Sequence, residues 1–212
     1  MVKWKPYYSL NLSSANALPL GWQEQVRSVV QQHGINTILT GAGSTSREAN
    51  THRAMPVRVA DGLAVKQQLP WLWDLYCGRL RDFCAQSFGV PVFIANLHHT
   101  TVNINQLAGR GAHYEWHVDS NPITGVLYAT DSDNGSGGSL VFRDDRGGRR
   151  SIFRPKAGTF ICFDAREICH RVTPLRRDGE RISLPMNYYH SATDQPRPPD
   201  LDSQIYTSAE PA

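Results

Sequence analysis

The 212-residue chain has no apolar run long enough to cross a bilayer. Its N-terminal stretch, Met1-Val-Lys-Trp-Lys-Pro-Tyr-Tyr, has no following apolar segment and no small-residue cleavage site. It reads as carrying neither a membrane span nor a secretory signal, so the cytoplasm is the expected address. Cysteine is scarce: the four residues, at 77, 84, 162 and 169, form no Cys-x-x-Cys pair. That disfavours a zinc cluster or a disulfide framework and predicts reduced thiols, mostly in the core. A strong charge of one sign is missing too. The formal net charge is +3, and the densest basic stretch, Arg143 to Arg154, is interrupted by Asp144 and Asp145. No nucleic-acid partner is expected from that pattern. Gly137-Gly138 is not followed by Lys-Ser/Thr, which argues against a phosphate-cradling loop and for a tight turn.

With 40% hydrophobic and 19% charged residues over 23.7 kDa, the chain has the balance of a globular protein with a substantial core. Trp4, Tyr7, Tyr8, Leu10 and Leu12, with Pro6 and Pro19, suggest an extended arm. Leu20 to His33 reads as a helix in which Val26, Val29 and Val30 share a face and Gly34 marks the stop. Pro70 to Phe88 is a clearer helix, with proline in the first turn, Leu72, Leu75, Tyr76, Leu80 and Phe83 at three-to-four spacing, and Gly89 at its close. Between them, Thr40 to Asp61 is rich in Gly, Ser, Thr and Asn and is expected to be a long loop, a length that often serves as a lid.

From Val92 the texture changes to short β-rich runs separated by Gly, Asp, Asn and Pro: Val92–Leu97, Thr101–Leu107, Tyr114–Val118, Gly125–Thr130, Ser139–Phe142, Ser151–Arg154, Thr159–Phe163, His170–Pro174 and Ile182–Tyr189. The expected fold is mainly β with N-terminal helices, a jelly-roll barrel buttressed by helices on one sheet. The domain reading is a single unit over 1–190, with the arm and helices in 1–90 and the β core in 91–190. Residues 191–212, with Pro196, Pro198, Pro199 and Pro211, are expected to form a Pro-rich extension.

Inside the β region lies a spaced set: His117-Val118-Asp119, then His170, then Arg181-Ile182-Ser183. Residues two apart on a strand share a face, so His117 and Asp119 can grip one ion if the segment is extended. Two imidazoles and a carboxylate with open positions form the facial triad suited to non-heme Fe(II), although zinc accepts such donors as well. Arg181 adds a planar fork and Ser183 a hydroxyl on one strand face, which together fit a ligand carboxylate and have no role in a simple hydrolytic zinc site. The histidines at 33, 52, 98, 99, 113 and 190 have no comparable companions.

The ordered pieces Gly109-Arg-Gly-Ala-His-Tyr-Glu-Trp-His117-Val-Asp119, Thr124-Gly-Val-Leu-Tyr128, Gly137-Gly-Ser-Leu-Val-Phe142 and Gly158-Thr-Phe-Ile-Cys-Phe163, leading to His170 and Arg181-Ile-Ser183, resemble the Fe(II)/2-oxoglutarate-dependent dioxygenases, and within them the prolyl-hydroxylase-like branch. The resemblance runs from Val102 to Tyr189. It implies a double-stranded β-helix (cupin-like) and Fe(II) held by His117, Asp119 and His170, with 2-oxoglutarate and O2 as cosubstrates. It implies that Arg181 and Ser183 hold the distal carboxylate and that Tyr128 stands where the branch often places a tyrosine on that carboxylate. Independently of it, Asn103 and Asn105 alternate with Val102, Ile104 and Leu107 to make one strand face unusually polar, and Asn105 there is a candidate contact to cosubstrate or substrate, with a turn-forming or edge asparagine as the alternative. Leu107-Ala108 departs from the branch, which often has a tyrosine there.

The expected reaction is hydroxylation of an aliphatic C–H bond of a small molecule, such as an amino acid, a peptide or a natural-product intermediate, with release of succinate and CO2. Arg47, Glu48, His52 and Arg53 in the candidate lid suit a zwitterionic or acidic ligand, and Glu115, Trp116, Ser120 and Asn121 flank the triad as candidate pocket residues. Retention of Asp119 argues against halogenation, in which a small residue replaces the carboxylate. The arginine arrangement and the lack of an aromatic-basic stripe argue against nucleic-acid demethylation. A peptide or protein hydroxylase and a non-catalytic 2-oxoglutarate- or metal-binding module are the alternatives. No oligomeric state is implied.

Overall fold

The computed structural model describes residues 4–39, 55–144 and 148–196. Strand β1 (Tyr8–Asn11) precedes helix α1 (Trp22–His33) and the antiparallel strands β2 (Ile35–Leu39) and β3 (Met55–Ala60). Helices α2 (Gly62–Gln68), α3 (Pro70–Leu75) and α4 (Arg81–Phe88) follow. The rest is β: β4 (Phe93–Ile94), β5 (Ile104–Ala108), β6 (Tyr114–His117), β7 (Ile123–Tyr128), β8 (Leu140–Arg143), β9 (Arg150–Phe153), β10 (Thr159–Asp164), β11 (Cys169–Val172) and β12 (Glu180–Tyr189).

The helices form where local signals agree with burial. In α1, Trp22, Val26, Val29 and Val30 make the buried stripe, and the Gly34 N–H closes the helix on the Val30 carbonyl at 3.1 Å. Asp61 caps α2 by accepting from the Ala64 N–H at 2.9 Å, and Pro70 opens α3. The expected helix over 70–88 is present but winds as a π-helical turn at Tyr76–Leu80. There the Tyr76 carbonyl accepts from the Tyr188 hydroxyl at 3.1 Å, while the Tyr76 hydroxyl donates to the Asn187 carbonyl at 2.9 Å. Two buried tyrosines thus tie the helical layer to β12.

The strands form two antiparallel sheets, one ordered β1-β10-β7-β12-β5-β3-β2 with β4 on β12, the other β6-β11-β8-β9. Period-two alternation divides the larger sheet's residues between two cores. Leu127, Phe160, Cys162, Ile182, Leu184, Met186 and Tyr188 pack against Val26, Val30, Leu72, Tyr76, Leu80 and Cys84 of the helices. Val126, Tyr128, Ile161, Phe163 and Leu107 face Leu140, Phe142 and Val172 of the smaller sheet. With both faces covered, every position of β7 is buried. The architecture is the double-stranded β-helix, a jelly roll with helices against one sheet. No helix among the described residues is long and apolar enough to cross a membrane.

Three local expectations change. The segment read as a loop over 40–61 ends in β3, which pairs with both β2 and β5 and widens the larger sheet; β2 itself was not anticipated. In β3, Val57 and Val59 face the inter-sheet core while Arg58 turns away to the Val30 carbonyl at 2.8 Å, a short alternation that the polar run before it hides. The run 92–97 shortens to β4 because Asn96 is bonded to Gln195 and Ala192 instead of to a strand. The first residues after β12 therefore fold back on the domain, and the rest of the C-terminal extension lies outside the described residues. So do Arg47, Glu48, His52 and Arg53.

Gly125, in the middle of β7, marks a close contact within the core on the helix side of the sheet: a Cβ there would lie 2.6 Å from the Phe160 ring and 3.2 Å from the Tyr188 ring. Gly125→Ala should destabilise the fold by about 1–3 kcal/mol through overpacking. The expected readout is a lower urea midpoint at unchanged m-value; an unshifted midpoint would mean that Phe160 has room to move.

Candidate active site

Strand pairing assembles the site from distant segments. β6 and β11 are antiparallel, and His117 lies directly opposite His170, so both imidazoles project from the same face into the space between the sheets. Their ring centroids are 4.2 Å apart. Strand β6 ends at His117, and Asp119 is placed by the turn that follows, where its N–H donates to the Ala165 carbonyl at 2.7 Å. Asp119 Oδ1 then lies 3.7 Å from His117 Nε2 and 3.8 Å from His170 Nε2.

The donor chemistry fits a metal. The Nδ1 atoms of His117 and His170 sit 2.7 Å from the Glu115 carbonyl and 3.1 Å from the Ile168 carbonyl. A carbonyl only accepts, so each ring holds a proton on Nδ1, and Nε2, which faces Asp119, is the ring atom left to ligate a metal. Burial, reinforced by His117 nearby, pushes the His170 pKa down to about 4, which keeps that ring neutral. One atom from each of the three side chains falls within 4.8 Å of the others. Two imidazole nitrogens and one carboxylate on one side of a potential ion form a facial donor set with open positions.

Deeper in the barrel a second cluster surrounds Arg181. Asn105 on β5, Ser183 on β12 and Tyr128 on β7 lie in register across three neighbouring strands and share one face. Arg181, only 5% exposed, donates from Nε to the Gly138 carbonyl at 3.0 Å and from Nη1 to Ser183 Oγ at 2.9 Å. Gly138 adopts a left-handed conformation, and a Cβ there would meet the Arg181 stem at 3.3 Å, so glycine serves both the turn and the approach of the arginine. The guanidinium lies 5.3 Å from the Tyr128 ring centroid. Among the described residues it meets no carboxylate. The Tyr128 hydroxyl and Asn105 Oδ1 are buried without a well-aligned hydrogen bond.

Tyr114, which sequence reasoning did not single out, joins the two clusters. Its ring is 6.3 Å from that of His117, and its hydroxyl accepts from Asn105 Nδ2 at 3.5 Å. Burial raises the Tyr114 and Tyr128 phenols to about 12, with the Arg181 charge opposing the rise in both. Simple alternation would put Tyr114 and His117 on opposite faces. The ladder pairs Tyr114 with Val172 and His117 with His170, so Glu115 and Trp116 lie opposite Arg171 alone, and this bulge brings both side chains inward. A bulge leaves no residue-type signature that would have disclosed it.

The pocket expectations divide. Trp116 is turned to the other face of the smaller sheet, where the guanidiniums of Arg171 and Arg143 lie 4.7 and 4.8 Å from its ring centroid, because it is out of phase with His117. Asn121 is 4% exposed, and its Nδ2 donates to the Ile123 carbonyl and Thr124 Oγ1. Glu115 pairs with His113 at 3.0 Å, and the Ser120 carbonyl accepts from Arg166 Nε at 2.7 Å.

Residues 102–189 match the model of the 2OG-Fe(II) oxygenase superfamily. Among curated proteins, none matches the chain by sequence. The fold is similar to that of a 2OG-Fe(II) oxygenase-family oxidoreductase from Burkholderia pseudomallei, with a TM-score of 0.66 and 17% identity, covering 91% of this chain and 89% of that one. It is also similar to SnoN, an α-ketoglutarate-dependent epimerase of nogalamycin biosynthesis, with a TM-score of 0.62 and 14% identity, covering 86% and 77%. A Pseudomonas putida prolyl-4-hydroxylase aligns with a TM-score of 0.52 and 19% identity over 88% and 94%. At these identities the likenesses establish the fold.

Removal of one imidazole should abolish tight metal binding without unfolding the barrel. His170→Ala is expected to weaken Mn(II) affinity roughly 100-fold or more, beyond what loss of an outer-shell partner produces. Anaerobic titration followed by the Mn(II) spin signal, with circular dichroism as the fold control, measures it. Parent-like affinity would remove His170 from the ligand set.

Proposed function

We propose that this chain, whose residues 102–189 belong to the 2OG-Fe(II) oxygenase superfamily, hydroxylates an aliphatic C–H bond of a small molecule such as an amino acid, a peptide or a natural-product intermediate. One observation carries the reading above the others: the buried Arg181 guanidinium has no carboxylate partner among the described residues. A desolvated cation of that kind is costly unless an anion completes it. A dicarboxylate cosubstrate supplies that anion.

In this reading His117, Asp119 and His170 hold Fe(II), and Arg181, Ser183 and Tyr128 receive the distal carboxylate of 2-oxoglutarate. Fe(II) bound there, with 2-oxoglutarate and O2, supplies the oxidising power for C–H hydroxylation, and the cosubstrate leaves as succinate and CO2. The chain's own groups set the geometry. The carbonyls of Glu115 and Ile168 aim the two Nε2 atoms, and Tyr114 packs between His117 and the arginine cluster. Asn105, with an unpartnered buried oxygen next to Ser183, is assigned to cosubstrate or substrate contact. Asp119 occupies the carboxylate position, which supports oxygen transfer over halogenation. Glu115 and Ser120 remain the substrate-side candidates.

The SnoN neighbour from nogalamycin biosynthesis supports the small-molecule reading. The Pseudomonas putida prolyl-4-hydroxylase neighbour favours a second one, hydroxylation of a peptide or protein prolyl residue. Incubation with Fe(II), 2-oxoglutarate and air, with a metabolite panel in one arm and proline-containing peptides in the other, separates them by which arm gains one oxygen. No succinate above background in either arm would leave only a non-catalytic binding module.

Arg181 provides the sharper test. Truncation to alanine removes a buried charge-assisted contact, at a cost of about 2–5 kcal/mol, much of it from leaving the partner charge unpaired. The affinity for 2-oxoglutarate, read from the optical chelate band under anaerobic Fe(II), should fall roughly 30-fold to several thousand-fold. Arg181→Lys should restore part of it, since an ammonium keeps the charge without the fork. Fe(II) binding in the absence of 2-oxoglutarate should change little. Undiminished affinity in Arg181→Ala would move the cosubstrate elsewhere.

A further inference from the structure

We infer that Thr124 is a positioning residue that holds Asp119 as a one-oxygen ligand, and that Asn121 orders Thr124 for that task. The inference rests on the reading of His117, Asp119 and His170 as metal ligands. The two oxygens of Asp119 have different surroundings. Oδ1 faces both histidine Nε2 atoms, at 3.7 and 3.8 Å, whereas Oδ2 accepts from Thr124 Oγ1 at 2.5 Å. Asp119 and Thr124 are 8% and 4% exposed, so water does not compete strongly for that contact.

The direction of the hydroxyl proton follows from Asn121. Its Nδ2 donates to the Ile123 carbonyl at 2.7 Å and to Thr124 Oγ1 at 2.9 Å, which uses both amide hydrogens. An oxygen that already accepts from an amide turns its own proton to the remaining neighbour, here the carboxylate. The result is a relay from Asn121 to Thr124 to Asp119 with each donor assigned. Thr124 is well suited to carry it, because its backbone pairs with Phe163 on one side and Asn187 on the other in the middle of the larger sheet. A ligand oriented from a rigid strand keeps its plane.

The chemical consequence concerns open positions. A carboxylate free to rotate can offer both oxygens to one ion and occupy an extra coordination position. With Oδ2 engaged by Thr124, only Oδ1 is available, and the face opposite the triad stays open for a two-point chelating cosubstrate and a further ligand.

The test uses the full chain without 2-oxoglutarate, titrated anaerobically with Mn(II) and with Co(II), whose visible bands report coordination number. Thr124→Val keeps the shape but removes the hydroxyl, and should weaken affinity by about 10–100-fold and alter the Co(II) bands. Thr124→Ser restores the hydroxyl and should return affinity to within about 3-fold of the parent, with the parent's bands. Parent-like affinity and bands in Thr124→Val would overturn the inference while leaving the triad reading intact. A parent chain that binds neither ion would overturn the triad reading and this inference with it. If Thr124→Val does not fold, Asn121→Ala decides, since it leaves Asp119 and Thr124 in place: several-fold weaker binding supports the relay, and unchanged binding overturns it.

Discussion

The antiparallel pairing of β6 with β11, with His117 opposite His170, is the constraint from which the site follows. A slip of one residue in either strand would turn one imidazole to the outer face and leave a single histidine beside Asp119. Nothing local to either histidine sets that register. Phe142 and Val172, on the inner face of the smaller sheet, pack against Phe163, Ile161 and Val126 of the larger sheet. The larger sheet is held in turn by the helices through Leu184, Met186, Tyr188 and Phe160. Burial on both faces of one sheet therefore positions a polar site on a second sheet that touches no helix in the core clusters.

Electrostatically the interior has two poles. At one, His117, Asp119 and His170 bring three groups of the kind that can ligate a metal within 4.8 Å of one another, with a single carboxylate among them. At the other, Arg181 holds a positive charge that its own β12 neighbour does not offset, because Glu180 is engaged by Arg27 at 2.8 Å and by Gln106 at 2.6 Å. Between the poles stand Tyr114 and Asn105. Both phenols near Arg181 stay protonated, so the cluster keeps donors and a cation, the composition that a carboxylate needs. The arginine is itself constrained: Nε is used on Gly138 and one Nη1 hydrogen on Ser183, so the fork cannot swing toward the surface without giving up both bonds.

The chemistry was more legible in the sequence than the architecture around it. The residues that converge as His117, Asp119 and His170, and the buried Arg181, were singled out from residue type and spacing, because the chemistry proposed for them demands particular side chains. The strands from Ile104 onward were legible from alternation, to within a few residues at their ends. What could not be read depends on tertiary partners. The strand β3 has only Val57 and Val59 as its inward signal, and its pairing with β5 lies far along the chain. Tyr114 enters the site only because β6 bulges, and Trp116 leaves it for the same strand's other face, where arginines from β8 and β11 cover its ring. Asn121 shows a different limit: its polarity and position beside the triad pointed to substrate, and nothing local signalled that both its amide hydrogens are engaged by Ile123 and Thr124.

The row Asn105–Ser183–Tyr128 breaks the rule by which the rest of the larger sheet is built. Positions facing the inter-sheet space elsewhere carry Val57, Leu107, Val126, Ile161 and Phe163, and an apolar set in that row would fold at least as well. Instead the row buries a guanidinium at its edge and leaves the Tyr128 hydroxyl and Asn105 Oδ1 without well-aligned partners, a desolvation cost that an apolar row would not carry. Such a violation persists where something outside the chain completes it. The groups left open are donors and a cation around Arg181 with one acceptor beside them, which asks for a ligand bearing a carboxylate at that depth and a second functional end reaching toward His117, Asp119 and His170.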